Sequence, residues 1–231
     1  MIPKIIHYCW FGRSKKPKIA EKCISSWKKY FPDFEIIEWN EDNFDLNYNT
    51  YTAFCYENKK WAYLSDLVRL IVVAKYGGIY FDTDVEVIKS FDNLLYYDAF
   101  YAFENKSNVA TGLGFGSIAN HPVLLDMIKI YDDIKRDETG NIKFINCPVL
   151  NTKALMNYGL QLNGKLQNLD RVCILSPEYM NPYDDSIGKL QITDHTISIH
   201  WYTKSAFSTR KKIRNKLTKP IHRLVRFLKN E

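Results

Sequence analysis

Apolar positions along the chain fall into short runs with two different periods. Residues 2–9 make a mostly apolar run of the kind that forms a buried strand, and Trp10, Phe11 and Gly12 lead out of it into a loop. Between 17 and 30 the pattern changes: Ile19, Cys23, Ser26, Trp27 and Tyr30 recur at helical spacing, and Pro32 stops the helix. Residues 34–39 predict a second strand. Strand, helix and strand in this order form an α/β opening, and the intervening length suits a crossover to a parallel neighbour.

Residues 40–49 are rich in Asn and Asp and predict a loop, followed by a short helix over 51–58. The clearest helix covers 61–76, where Trp61, Leu64, Val68, Ile71 and Val72 form one apolar stripe and Gly77-Gly78 supplies a left-handed stop. A strand at 79–81 follows, then Asp82-Thr83-Asp84, then a further strand at 85–88. Later segments predict strands at 99–103, 172–175 and 196–201, and helices over 121–135 and 148–158. Residues 132–141 are the least core-like part of the body. There is no internal repeat or low-complexity block, so the expectation is one α/β domain over 1–203 with a basic segment, 204–231, behind it.

Composition and charge narrow the function classes. No apolar run reaches the roughly 18 residues a membrane-spanning helix needs. The first residues, MIPKIIHYCWFG, lack a charged leader before a long apolar stretch, which predicts no secretory signal and a cytoplasmic protein. The five cysteines never form CxxC, so buried thiols are expected in place of disulfides or a zinc knuckle. The net charge of +6 is uneven: residues 204–231 hold ten basic and one acidic residue, leaving the body near −3. Ile213, Leu217, Ile221, Leu224, Val225 and Leu228 lie near helical spacing in that basic segment. Such a segment can lie on an anionic membrane surface, each basic residue contributing about 1 kcal/mol. A solvated terminal helix is the plain alternative. Nucleic acid is the disfavoured partner, since the body carries no basic excess.

The candidate chemistry centres on Asp82 and Asp84. If the backbone stays extended through them, both carboxylates project to one side. Two hard oxygen donors at that spacing suit Mn²⁺ or Mg²⁺ carrying substrate phosphates; two solvated turn aspartates are the alternative. Asp66 and Arg69 sit one turn apart on the preceding helix and could read a phosphate and a ribose hydroxyl, or merely pair with each other. His200 offers a nitrogen donor to Mn²⁺ or is a packed ring. His7, Tyr8 and Trp10 could flank a nucleotide base beyond the carboxyl end of the first strand, or belong to the core. The glycines at 112, 114 and 116 lack the dinucleotide-binding spacing and suggest close backbone approach. A phosphatase-type aspartate nucleophile of the haloacid dehalogenase kind would require Thr or Val at position 86, where Glu86 stands.

The segments IPKIIHYCWFG, WNEDNFD, WAYLSDLVRLIVVAKYGGIYFDTDVEV and IHW, taken in order, resemble glycosyltransferase family 32, the DxD-containing sugar transferases of capsular and surface polysaccharide synthesis. The resemblance spans about residues 1–203. It implies a GT-A fold, a nucleotide-sugar donor with a UDP-sugar favoured, a divalent metal, and hexosyl transfer with retention to a glycan or lipid-linked acceptor. By position it implies Asp82 and Asp84 on the metal and diphosphate, and Asp66 and Arg69 on the donor sugar and phosphates, with Arg69 also stabilising charge in the reaction. His7, Tyr8 and Trp10 would lie by the base, and His200 would be a late ligand of the metal or the diphosphate. The expected second Trp after Trp201 is missing, with Ala206 and Phe207 nearby. A catalytically silent nucleotide- or glycan-binding domain is the alternative.

Overall fold

The structure, a computed structural model, describes residues 1–203. The expected basic segment lies outside the described residues. Strand β1 (Ile5–Cys9) leads through helix α1 (Lys18–Tyr30) to β2 (Glu35–Trp39), and β1 pairs with β2 in parallel, as the spacing predicts. Trp27 of α1 is fully buried and its indole N–H donates to the Val85 carbonyl at 2.8 Å. Truncating a buried ring of that size typically costs about 3–5 kcal/mol.

Helix α2 (Thr50–Glu57) begins where Asn49 accepts from the Thr52 N–H and the Thr52 hydroxyl accepts from the Asn49 N–H. Helix α3 (Trp61–Tyr76) ends at Gly77 and Gly78, both with positive φ. At Gly78 the requirement is also spatial, because a Cβ would stand 2.6 Å from the Ile5 carbonyl oxygen. The chain therefore turns sharply into β3 (Gly78–Tyr80), which pairs in parallel with the other side of β1.

Beyond β3 the strand does not run on through Asp82 and Asp84. The Val85 N–H closes a turn onto the Asp82 carbonyl at 3.0 Å, and β4 (Val85–Val87) leaves the main sheet. The expectation of an extended segment there is corrected by this turn. The remaining strands and α-helices of the described residues are β5 (Ala99–Asn105), β6 (Asn108–Val109), β7 (Phe115–Ser117), α4 (Pro122–Asp132), α5 (Cys147–Met156), β8 (Gln167–Leu169), β9 (Val172–Leu175), α6 (Pro177–Met180), β10 (Tyr183–Asp184), β11 (Lys189–Leu190) and β12 (Ser198–His200).

The main sheet runs β2-β1-β3-β7-β5-β9-β8, with β6 on β5, and mixes parallel and antiparallel neighbours. One core cluster, with Leu67, Val68, Met127 and Leu155, packs beneath α2 to α5; a second, with Trp27, Phe81, Phe91 and Phe100, joins α1 and β4 to the opposite face. The result is a three-layer α/β/α arrangement. Gly116 confirms close approach in the glycine-spaced stretch: a Cβ there would meet the Phe100 ring at 2.4 Å. All five cysteines are free and buried.

Candidate active site

A cleft of about 540 Å³ opens beyond the carboxyl ends of β1 and β3. Trp10, Ser14 and Lys15 of the β1–α1 loop line one flank, α3 supplies Asp66 and Arg69, and Asp82, Asp84 and His200 form the floor. The Trp10 indole N–H donates to the Ser14 carbonyl at 2.6 Å and shapes that loop. A second lobe of about 590 Å³ shares Asp66, Arg69, Asp82 and His200, and extends toward Lys59, Glu104 and Asn146.

Strand β12 brings His200 to the carboxylates by pairing antiparallel with β4, with His200 opposite Val85. His200 Nε2 lies 3.0 Å from Asp84 Oδ1. Asp84 Oδ2 accepts from the Thr203 amide and hydroxyl, each at 2.8 Å. Burial opposes the Asp84 charge, but His200 and the Thr203 donors outweigh it and hold this carboxyl well below its ordinary pKa. Burial likewise works against a charged His200, yet Asp84 raises its pKa.

Arg69 is the counterweight on the other side. Only 4% exposed, its Nη2 reaches Asp66 Oδ1 at 2.9 Å and Asp82 Oδ1 at 3.1 Å, and its Nε donates to the Ser65 carbonyl. The Tyr80 ring lies 5.0 Å beneath the guanidinium, and the Tyr80 hydroxyl donates to Asp82 Oδ1. Burial pushes Asp66 up to about 6, with Arg69 pulling down and Asp82 pushing up. Burial also raises Asp82, against Arg69. A fixed cation thus holds two partly buried carboxylates at the cleft floor.

Asp82, Asp84 and His200 offer ligand atoms that all lie within 4.8 Å of one another. Two carboxylates and an imidazole form a mixed oxygen and nitrogen donor set suited to Mn²⁺. The 3.0 Å between Asp84 Oδ1 and His200 Nε2 is also the separation of adjacent ligands about 2.1 Å from one octahedral ion. The donor set therefore fits a divalent cation.

The structure brings Trp10, Asp66, Arg69, Asp82, Asp84 and His200 to one cleft, but takes His7 and Tyr8 out of it. His7 is fully buried: its Nε2 bonds to the Gly77 carbonyl at 2.8 Å and its Nδ1 accepts from the Trp39 indole at 3.0 Å. It joins β1, β2 and the end of α3, so base contact is corrected to a structural role. Tyr8 points to the opposite face, where its ring packs edge-on to Trp27 and its hydroxyl donates to Glu38. Strand alternation sends the two side chains to opposite faces of the sheet, short of the cleft, which β1 reaches only from Cys9 onward.

Three participants escaped the sequence reading. Tyr80 stands two residues before Asp82, a spacing that could have signalled a shared side. Thr203 follows His200 in the same closing segment. Gly112, noted only for its spacing, lies so close that a Cβ there would stand 2.6 Å from Asp82 Oδ2.

Comparison with known proteins points the same way. Residues 17–101 match the family described as glycosyltransferase sugar-binding region containing DXD motif. Inositol phosphoceramide mannosyltransferase 3 of Schizosaccharomyces pombe is 31% identical over 135 residues, covering 55% of this chain and 36% of that protein. Mannosyl phosphorylinositol ceramide synthase CSH1 of Saccharomyces cerevisiae is 28% identical over 144 residues, covering 59% of this chain and 37% of that one. The chain thus matches little more than a third of the length of these curated relatives. Among solved structures, PaToxG glycosyltransferase superposes with a TM-score of 0.53 at 20% identity, over 68% of each chain. The fold is that of the GT-A glycosyltransferases.

Proposed function

We propose that this chain is a metal-dependent glycosyltransferase that moves a hexosyl group from a nucleotide sugar to a lipid-linked or glycan acceptor. The observation that carries the reading is the convergence of Asp82, Asp84 and His200 beside the buried Arg69, at the floor of a cleft lined by Trp10. The similarity to proteins named as an inositol phosphoceramide mannosyltransferase and a mannosyl phosphorylinositol ceramide synthase supports transfer chemistry, and the ceramide in both names supports a lipid acceptor.

The residues divide the work. Asp82, Asp84 and His200 would hold the divalent cation, which when bound supplies charge to stabilise a departing diphosphate. Arg69 cannot lose its proton at neutral pH and adds a fixed positive charge where that negative charge develops. Asp66 and Tyr80 fix the guanidinium, which lowers the reorganisation needed during reaction. Trp10 offers an aromatic wall to the base, beside Ser14 and Lys15.

Donor identity is tested by thermal shift against UDP- and GDP-hexoses, with and without Mn²⁺. A donor at 100 times its Kd stabilises by about 2.7 kcal/mol, or about 5–10 °C for a chain of this size. Stabilisation that needs both Mn²⁺ and the sugar nucleotide, with nucleotide release on adding acceptor, is the expected result; no shift with any donor refutes the reading. The expected retention is read from the product anomer by NMR. A role in capsular or surface polysaccharide assembly at the inner membrane face belongs to the same proposal. It predicts that deletion after Thr209 weakens sedimentation with anionic vesicles while sparing donor hydrolysis.

A further inference from the structure

The second lobe of the cleft contains three carboxylates, and they are not equivalent. Asp66 and Asp82 are both tied to Arg69. Glu104 is the third; among the described residues it forms no close ion pair, and the cation it faces is His200, whose protonated form it favours from a distance. Its one side-chain hydrogen bond is to Oε1, from the Tyr202 hydroxyl at 3.2 Å.

Its placement is local and specific. Along the pairing of β5 with β6, Phe103 faces Val109 while Asn105 faces Asn108, so two residues of β5 advance against one of β6. Glu104 is the extra residue of this bulge, a device that redirects a side chain at the end of a strand. Asn181 holds its backbone by donating to the Glu104 carbonyl at 2.7 Å. Tyr202, with φ of 47°, lays its ring 4.0 Å from the His200 ring while its hydroxyl holds Glu104. The lobe thus presents a half-buried carboxylate, fixed through one oxygen, beside the group that would hold the donor diphosphate.

Resting on the glycosyltransferase reading above, we infer that Glu104 is the carboxylate that binds the acceptor hydroxyl and receives its proton. In that step the acceptor oxygen bonds to the anomeric carbon as the bond from that carbon to the phosphate oxygen breaks. The bonding pair leaves on the nucleoside diphosphate, and the hydroxyl proton passes to the free oxygen of Glu104. For this single displacement the expected retention requires the acceptor to attack from the face the diphosphate leaves.

The test uses the full chain with Mn²⁺, UDP- and GDP-hexoses, and water as the acceptor. Glu104→Gln should lower kcat for donor hydrolysis by at least ~100-fold, the usual scale of general base catalysis, with donor affinity by calorimetry unchanged within about threefold. Glu104→Ala should regain activity with added formate, which a packing role would not produce. An active wild type with an equally active Glu104→Gln overturns the inference alone, as does loss of donor binding in that variant or absence of formate rescue. A wild type that neither binds nor hydrolyses any of these donors overturns the glycosyltransferase reading and this inference with it.

Discussion

Lowering the pH should reveal His7 as a buried neutral group that joins three elements. Burial lowers its pKa from an ordinary 6.5 to about 4, although the Gly77 carbonyl acts in the opposite direction. The hydrogen bonds explain the preference: Nε2–H donates to Gly77, so Nδ1 must keep a lone pair for the Trp39 indole. A second proton would set two donors against each other. Because the folded pKa lies below the unfolded one, the contribution is complete above pH 6.5 and is lost as pH falls to about 4. That interval corresponds to ~3 kcal/mol at about 1.4 kcal/mol per unit. Urea denaturation of the wild type and His7→Gln between pH 7 and 4 measures it. The variant starts less stable, because the Trp39 N–H loses its acceptor. Its stability should nevertheless fall by ~3 kcal/mol less across the window. Parallel profiles for the two proteins would refute the assignment.

Two further outcomes test the cleft floor. Arg69→Met should destabilise the fold by about 2–4 kcal/mol in urea, since it leaves the partly buried Asp66 and Asp82 without their cation, and adding Asp66→Asn should restore part of the loss. Failure of the double variant to recover would show that packing, not charge, dominates there. Gly112→Ala should weaken Mn²⁺ binding measured by calorimetry, because the new methyl meets the Asp82 carboxylate; unchanged affinity would show that the carboxylate can yield without cost.

The parts of the fold legible in the sequence were those with strong periodicity or punctuation. The stripe of Trp61, Leu64 and Val68 and the glycines at 77 and 78 located α3 and its stop, and the β1-α1-β2 crossover followed from the change of period and the intervening length. The short strands β10 and β11 and the four-residue α6 were not legible, because two to four residues carry no usable period. For the site, Asp82 and Asp84 were found by type and spacing, but the reason offered for their convergence was wrong: a turn, not strand alternation, brings them together. Chain order placed His7 near the cleft because residues 7 and 10 are neighbours in sequence. The pleat separates them, and only Trp10 passes beyond the strand end. Glu104 and Thr203 reach the site through a bulge and a closing segment, neither of which leaves a mark in composition.

The most direct test is Mn²⁺ binding in the presence of UDP or GDP, followed by electron paramagnetic resonance on the wild type and on Asp84→Ala. We predict one tightly bound ion per chain in the wild type and at least a ~10-fold loss of affinity in the variant, with the fold intact by circular dichroism. A variant that binds the ion as well as the wild type, or a wild type that binds none, would contradict the assignment of Asp82, Asp84 and His200 as the seat of the donor diphosphate's cation.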